Sequence, residues 1–447
     1  MAASLGASSL AEVHVEGLDQ LLHDLANVCP DIEKPESGPL GIPILDALLE
    51  VFMLKAVKPG DIPRRQLESP AQREQNRLDD EEMIFQGVHP NDDQVLQPSN
   101  VFFTASAYRN KKPCPVVEIS SSVSAAGKSQ LLYYLTALAV LPRGYENISI
   151  GGKEAAVVWI DSDDRFDADR LRVVARGIVR HAQQTLDPDA LNEDAGGPTD
   201  GDIEAMLVFS LQHVHVFRPQ SSSAILATLR ALDSYLYDLS RHKSSDRPLQ
   251  IVSIDSMTAF FWQDKLRDEI ARTEDIGRSR AEIDEEREQK QSFHLVDLYT
   301  ELVKELKKLQ GRFGCVVLYT ATVTTGRPAN NNNSMPADPY DRVPSRTPAL
   351  KPALPAPWGN FPILRLIVHR DAVRPFPPAV NVHDAERDAS MRQDVVNQGK
   401  FSAWVNAWDR EEWPRRVADG VDWYNGGSFP FYVHEMGVEI PQPDTIG

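Results

Sequence analysis

The run Val116-Val117-Glu118-Ile119 leads into Ser120-Ser121-Ser122-Val123-Ser124-Ala125-Ala126-Gly127-Lys128-Ser129 and then into the apolar stretch Leu131 to Leu141. These residue types in this order suit the binding of a polyphosphate. Small side chains let successive backbone N–H groups curl around an anion, a lysine meets the β- and γ-phosphates, and a serine hydroxyl completes the shell of Mg²⁺. The helix that follows adds the positive end of its dipole. Ser122, Val123, Ser124, Ala125, Ala126, Gly127, Lys128 and Ser129 are therefore candidate ATP-binding residues, with Ser129 also a Mg²⁺ ligand. The full pattern GxxxxGK[ST] has glycine where this chain has Ser122. Serine lacks glycine's access to positive φ, so a strained or reshaped loop is expected.

Two acidic positions extend the candidate site. The apolar run Leu249 to Ile254 ends in Asp255-Ser256, and a carboxylate at the C-terminal end of a central strand can hold a Mg²⁺-bound water beside the phosphates. The competing reading of Asp255 is a helix cap. Val157 to Ile160 ends in Asp161-Ser162-Asp163-Asp164, where Asp163 is a candidate for positioning the attacking water. Capping of the next helix competes there too, and accounts well for Asp167.

The elements that must carry these residues follow from the hydrophobic pattern. Short runs rich in β-branched residues, 116–119, 156–160, 214–217, 250–254 and 316–320, read as strands. Helical spacing appears in Leu171, Val174, Ile178; in Ile225, Leu229, Leu232, Leu236 after Ser221; and in Val296, Val303, Leu306, Leu309 from Ser292 onward. This alternation indicates an α/β fold with a mostly parallel sheet flanked by helices, spanning 113–325. Residues 1–112, with Leu18, Leu21, Leu22, Leu25 and Ile44, Leu45, Leu48, Leu49 as helical patterns, read as a helical and flexible lead-in. The Pro- and Asn-rich stretch 326–358 reads as a mobile loop, and 359–447 as strands near 363–369 and 429–434 that return to the same sheet. Residues 265–291 mix both charge signs and read as an exposed helix or a disordered insertion.

Composition narrows the partners. The chain has 447 residues, and 47 Lys+Arg against 65 Asp+Glu give a net charge of -18, which opposes autonomous binding to polyanionic DNA and favours a protein partner. Cys29, Cys114 and Cys315 show neither disulfide-framework nor zinc-site spacing. The residues near Met1 lack signal-peptide character, and no apolar run spans a bilayer, so the chain reads as soluble and intracellular with no membrane partner.

The strings Gly127-Lys128-Ser129 with Leu132-Tyr133-Tyr134-Leu135-Thr136-Ala137, Trp159-Ile160-Asp161-Ser162-Asp163 with Phe166-Asp167, and Ile254-Asp255-Ser256-Met257-Thr258-Ala259-Phe260-Phe261-Trp262 resemble the RecA-like DNA-repair recombinase paralogues. The resemblance covers roughly 113–325. It implies a RecA-like P-loop NTPase core and a nuclear subunit of a recombinase-paralogue complex. Such a subunit acts in homologous recombination at double-strand breaks and stalled forks, bound to other paralogues and, directly or through them, to DNA. The family usually has Glu where Asp163 stands. With Ser122, this ranks ATP binding above ATP turnover. An active DNA-dependent ATPase and a P-loop small-molecule kinase are the alternatives.

Other features carry less chemistry. Arg327, Arg342, Arg346 and Lys351 lie where RecA-like proteins carry a DNA-binding loop, but a solvated insertion explains them as well. Arg172, Arg176 and Arg180 share a helix face and read as solvated. Trp404 and Trp408 fit one helical face, with Trp413 and Trp423 beyond them; a partner-binding surface is possible but core packing is the favoured fate, and His213 and His215 read as a packed or surface pair. No Ser-His-Asp pattern, HExxH motif or dinucleotide GxGxxG is present.

Overall fold

In chain order, the computed structural model describes residues 38–53, 114–185, 198–281, 283, 285, 293–323, 349–371, 373, 380–408 and 410–441. The helices are α1 (Pro43–Met53), α2 (Lys128–Val140), α3 (Ala168–Gln184), α4 (Asp200–Leu211), α5 (Ser222–Tyr237), α6 (Phe261–Glu274), α7 (Leu295–Phe313), α8 (Val382–Asn397) and α9 (Arg415–Trp423). The strands are β1 (Val116–Ser121), β2 (Gly144–Tyr145), β3 (Ile148–Ser149), β4 (Ala156–Asp161), β5 (Val214–Phe217), β6 (Leu249–Asp255), β7 (Val316–Thr322), β8 (Leu364–Arg370), β9 (Lys400–Val405), β10 (Phe429–His434) and β11 (Gly437–Glu439).

Among the described residues, nine strands join in one sheet of order β11-β10-β9-β8-β1-β7-β6-β4-β5. The six from β8 to β5 run parallel, and β9, β10 and β11 extend the sheet antiparallel. The mostly parallel α/β architecture read from the sequence is therefore the one observed, and the strands near 363 and 431 do return to the same sheet. Strands β1 and β4 are buried along their whole length, as a parallel strand covered on both faces must be.

Successive side chains divide between two cores, since a strand alternates its faces. Val117, Ile119, Val157 and Trp159 pack with α2 and α3, whereas Val116, Val158, Ile160 and Val252 pack with α5 and α7. Leu45, Leu48 and Leu49 of α1 belong to the first of these cores, so the second helical pattern of the lead-in is packed on the sheet. Asp46 holds the entry to α1 by accepting from Leu40 N and Gly41 N, each at 2.8 Å. Leu18 and its companions lie outside the described residues.

Several expectations change. Trp404 sits on strand β9 and Trp408 in a turn, so they share no helix; a run of β-branched and aromatic residues around Phe401 outweighs the four-residue spacing. Trp423 is 85% exposed, which is not a core position. In α7, Leu295 and Tyr299 take the buried side and Val296 faces out. The face of α3 bearing Arg172, Arg176 and Arg180 is not simply solvated: Arg172 and Arg176 pair with Glu204, and Arg180 lies 3.9 Å from Asp200, both acids on α4. The acidic first turn of α4, closed by a Thr199–Asp202 capping box, explains that attraction. Arg327, Arg342 and Arg346 lie outside the described residues. Within the expected loop, Leu354 and Trp358 are buried, Trp358 edge-on to Tyr319 and Phe361.

Candidate nucleotide site

Strands β1, β4, β6 and β7 end on one edge of the sheet because they are parallel neighbours, and this gathers Ser121, Asp161, Asp255 and Thr322 at their C-terminal ends. Ligands of open parallel sheets bind at that edge. Residues 122–127 leave β1 there and enter α2 at Lys128.

The turn is made by two left-handed residues, Ala125 at φ 56° and Gly127 at φ 95°. Ser122 has no positive φ, so the place where the glycine pattern is broken makes no demand for glycine. The strain expected of this loop is therefore not at Ser122. The strain sits three residues on, at Ala125, where a left-handed L-residue costs about 1 kcal/mol. Gly127, by contrast, is required: a Cβ there would lie 2.8 Å from Phe401 Cδ1 and 3.0 Å from Phe431 Cζ. Gly127 is also the N-cap of α2 and supplies no side-chain cap, so the first-turn N–H groups face the loop without a side-chain acceptor.

Lys128 Nζ donates to Ser121 Oγ at 2.6 Å, and Ser121 Oγ donates to Val123 O at 2.7 Å. Burial pushes the Lys128 amine below its usual range, while the carboxylates of Asp255 and Asp163 oppose the shift. Lys128 thus feels the charge of both acidic candidates. Asp255 is buried and accepts from Thr320 Oγ1 at 2.5 Å, and its backbone carbonyl accepts from Ser162 N at 2.8 Å and Asp163 N at 3.3 Å. These bonds tie the end of β4 to the end of β6. Loss of hydration raises the Asp163 carboxyl above the usual range, and the neighbouring Asp255 charge adds to it.

Asp161 has a different task. Its carboxylate accepts from Arg165 N and Phe166 N, both at 3.0 Å, and lies 3.3 Å from Arg218 Nε, so it shapes the turn that aims Asp163. Asp167 caps α3 by accepting from Asp169 N and Arg170 N, as the sequence suggested. Tyr133 stacks on Trp159 at 5.0 Å between ring centroids and accepts from Asp167 N, fixing α2 against the same turn. Such an aromatic pair adds about 0.5–1.5 kcal/mol beyond its burial.

The structure brings the loop residues, Lys128, Asp163 and Asp255 together. Sequence reasoning missed Thr320 and Ser121 as partners of Asp255 and Lys128, although Thr320 lies in a segment it assigned to a strand and Ser121 in the loop it singled out. It had no signal for Phe401 and Phe431, which reach Gly127 from the far end of the chain. The group set fits a magnesium polyphosphate: a turn with two left-handed residues, uncapped amides, an amine, a hydroxyl and one carboxylate. Among the described residues no group of three or more His, Cys, Asp or Glu could hold a metal. A Mg²⁺ site needs only one or two protein oxygens, with phosphates and water completing it. The Ser162 hydroxyl is buried beside this edge with no hydrogen-bond partner.

His213 and His215 are a packed pair. Ser244 Oγ lies 2.8 Å from His213 Nδ1 and 3.0 Å from His215 Nε2, and Tyr235 OH lies 3.0 Å from His215 Nδ1. Among the described residues no helix is long and apolar enough to cross a membrane.

No protein-family profile matches the chain. It is similar to the DNA repair protein XRCC2 homolog of Arabidopsis thaliana, 24% identical over 277 residues, 58% of this chain and 69% of the relative. It is 29% identical over 176 residues to the DNA repair and recombination protein RadA of Halobacterium salinarum, 39% of this chain and 44% of that protein. With the mouse DNA repair protein XRCC2 it shares 28% identity over 141 residues, 31% of this chain and 39% of that one. The chain spans less than half the length of these last two relatives. The mostly parallel α/β sheet is consistent with a RecA-like core, and in sequence the chain is similar to DNA-repair proteins named XRCC2 and RadA.

Proposed function

We propose that this chain is a recombinase-paralogue subunit acting in homologous-recombination repair of double-strand breaks and stalled forks in the nucleus. It binds other RecA-family paralogues and reaches DNA directly or through them. Its net charge of -18 supports recruitment through protein partners.

The observation that carries the nucleotide part of this reading is the position of Lys128, whose amine lies 2.6 Å from Ser121 Oγ at the C-terminal end of β1, on the strand-end edge that also carries Asp255. In this reading residues 122–127 and the first-turn amides of α2 cradle the phosphates of ATP, and Lys128 turns from Ser121 to the β- and γ-phosphates. Ser129 and Asp255 hold Mg²⁺, which neutralises phosphate charge when bound. Asp163 orients water, but its side chain is one methylene shorter than Glu, which moves the held water from the position Glu would give it. Binding therefore exceeds turnover.

The test is ATP binding and hydrolysis by the purified protein, with and without single-stranded DNA, beside Lys128→Ala and Asp163→Glu. Binding lost in Lys128→Ala, with slow wild-type turnover raised by Asp163→Glu, supports the reading. Fast DNA-stimulated turnover by the wild type overturns the weak-hydrolysis part. Binding that survives Lys128→Ala overturns the site.

A further inference from the structure

Two of the three cysteines, Cys114 and Cys315, are far apart in sequence and meet at the end of the sheet opposite the nucleotide edge. Strands β1 and β7 are parallel neighbours with Val116 opposite Val317, and Val317 N donates to Pro115 O at 3.1 Å. Cys114 lies two residues before Val116 and Cys315 two before Val317, so the register sets them side by side where the strands begin. Gln310, near the end of α7, clamps the pair. Its Nε2 lies 3.2 Å from both Cys114 O and Pro115 O and 3.4 Å from Cys315 O.

Both thiols lie on one face of the sheet. Cys315 packs with Val116 and Val317 in the core beneath α5 and α7, and Cys114 Sγ is 3.6 Å from Gln310 O of α7. Their surroundings differ: Cys315 is fully buried, whereas Cys114 is only partly so. Burial pushes the Cys315 thiol up to about 12, and the Cys114 charge adds to the shift, so the two sulfurs act on each other. A buried cysteine by itself is a small, inert packing residue. That accounts for Cys315 but not for a second, accessible thiol set against it. Neighbouring strands lie about 4.8 Å apart, within the range of about 4.4–6.8 Å over which a disulfide joins two Cα atoms.

We propose that Cys114 and Cys315 are an oxidation site that closes to a reversible disulfide when hydrogen peroxide reaches Cys114. The Cys114 thiolate attacks one peroxide oxygen, the O–O bond breaks, Cys114 becomes a sulfenic acid, and the departing oxygen leaves with the thiol proton as water. The Cys315 sulfur then attacks the sulfenic sulfur, the S–O bond breaks, and the departing hydroxide takes the Cys315 proton as a second water. Two thiols and one peroxide thus give one disulfide and two waters. Access sets the order, because Cys315 meets its oxidised neighbour and not the solvent. In a reducing compartment the bond is transient, and small thiols such as glutathione return it to the dithiol. The link joins the entries of β1 and β7, at the other end of the sheet from Lys128, so the thiol pair and the nucleotide site stand or fall separately.

The experiment treats the reduced full-length protein with hydrogen peroxide near neutral pH, blocks the remaining thiols with N-ethylmaleimide and maps the peptides by mass spectrometry. The expected product is a Cys114–Cys315 peptide pair linked within one chain and reversed by dithiothreitol, with Cys29 still alkylated. Its yield should fall about ten-fold or more in urea, where only chance closure of a long loop brings the two together. In Cys315→Ala, Cys114 should stop at the sulfenic acid, captured by dimedone; in Cys114→Ser, Cys315 should stay reduced. Linkage of Cys114 to Cys29 or to a second chain, oxidation of Cys315 in Cys114→Ser, an undiminished yield in urea, or a Cys114 left unoxidised overturns the proposal.

Discussion

The Lys128 amine lies 2.6 Å from Ser121 Oγ, seven residues before it, so the lysine closes over the loop it follows. Burial holds its pKa below the usual 10.5. The folded protein therefore disfavours the ammonium form. That cost is full at pH values below the lowered pKa and vanishes as pH rises past 10.5. Lys128→Met should stabilise the ligand-free protein near pH 7 by about 1 kcal/mol while abolishing ATP binding. Chemical denaturation from pH 7 to 11 checks this, and the gain should fade toward the alkaline end. A Lys128→Met protein less stable than the parent at pH 7 would contradict it.

Two left-handed positions in the same loop should respond with opposite signs. Ala125→Gly removes the cost of φ 56° and should stabilise the fold by up to about 1 kcal/mol, net of glycine's entropy in the unfolded chain. Gly127→Ala drives a methyl to 2.8 Å from Phe401 at φ 95° and should cost about 2 kcal/mol or more. Urea midpoints of the two variants decide the matter; equal shifts would refute the assigned backbone.

The histidine pair gives the protein an acid limit. Burial holds His215 down from 6.5 to about 4, so its neutral form is the one that folds. The associated stability is fully present above pH 6.5 and is lost as pH falls through about 4, a change of up to about 3 kcal/mol. His215→Gln should flatten the pH dependence of stability across this window. Parallel curves for variant and parent would show that His215 is not the group responsible. Ser244→Ala strips both rings of a partner and should cost about 1–3 kcal/mol at pH 7.

Arg170 joins the far strands to the nucleotide side of the sheet. Its guanidinium donates to Gln130 Oε1 at 2.8 Å, to Glu435 O and His434 O at 3.0 Å, and to Gly437 O at 3.3 Å. A lysine amine cannot span these acceptors, so Arg170→Lys should cost about 1–3 kcal/mol. Amide hydrogen exchange should accelerate across the 434–437 turn. Unchanged exchange there, with normal stability, would remove Arg170 from this role.

The sequence alone determined the six parallel strands and their order of appearance, because a strand buried on both faces must be written as a short β-branched run and β1, β4, β6 and β7 are so written. It also singled out 122–129 as a candidate phosphate loop, since small residues, lysine and serine at this spacing between a strand and a helix suit a polyphosphate. It recognised Asp167 as a cap, because capping is local. Only the tertiary structure decided that Ser122 needs no positive φ, that Gly127 is locked beneath Phe401 and Phe431, and that Thr320 holds Asp255. It alone put Trp404 on a strand and turned Asp264 and Asp268 inward. The reason is range: periodicity and capping act over a few residues, whereas these contacts join elements tens to hundreds of residues apart, whose meeting depends on how the whole sheet is ordered.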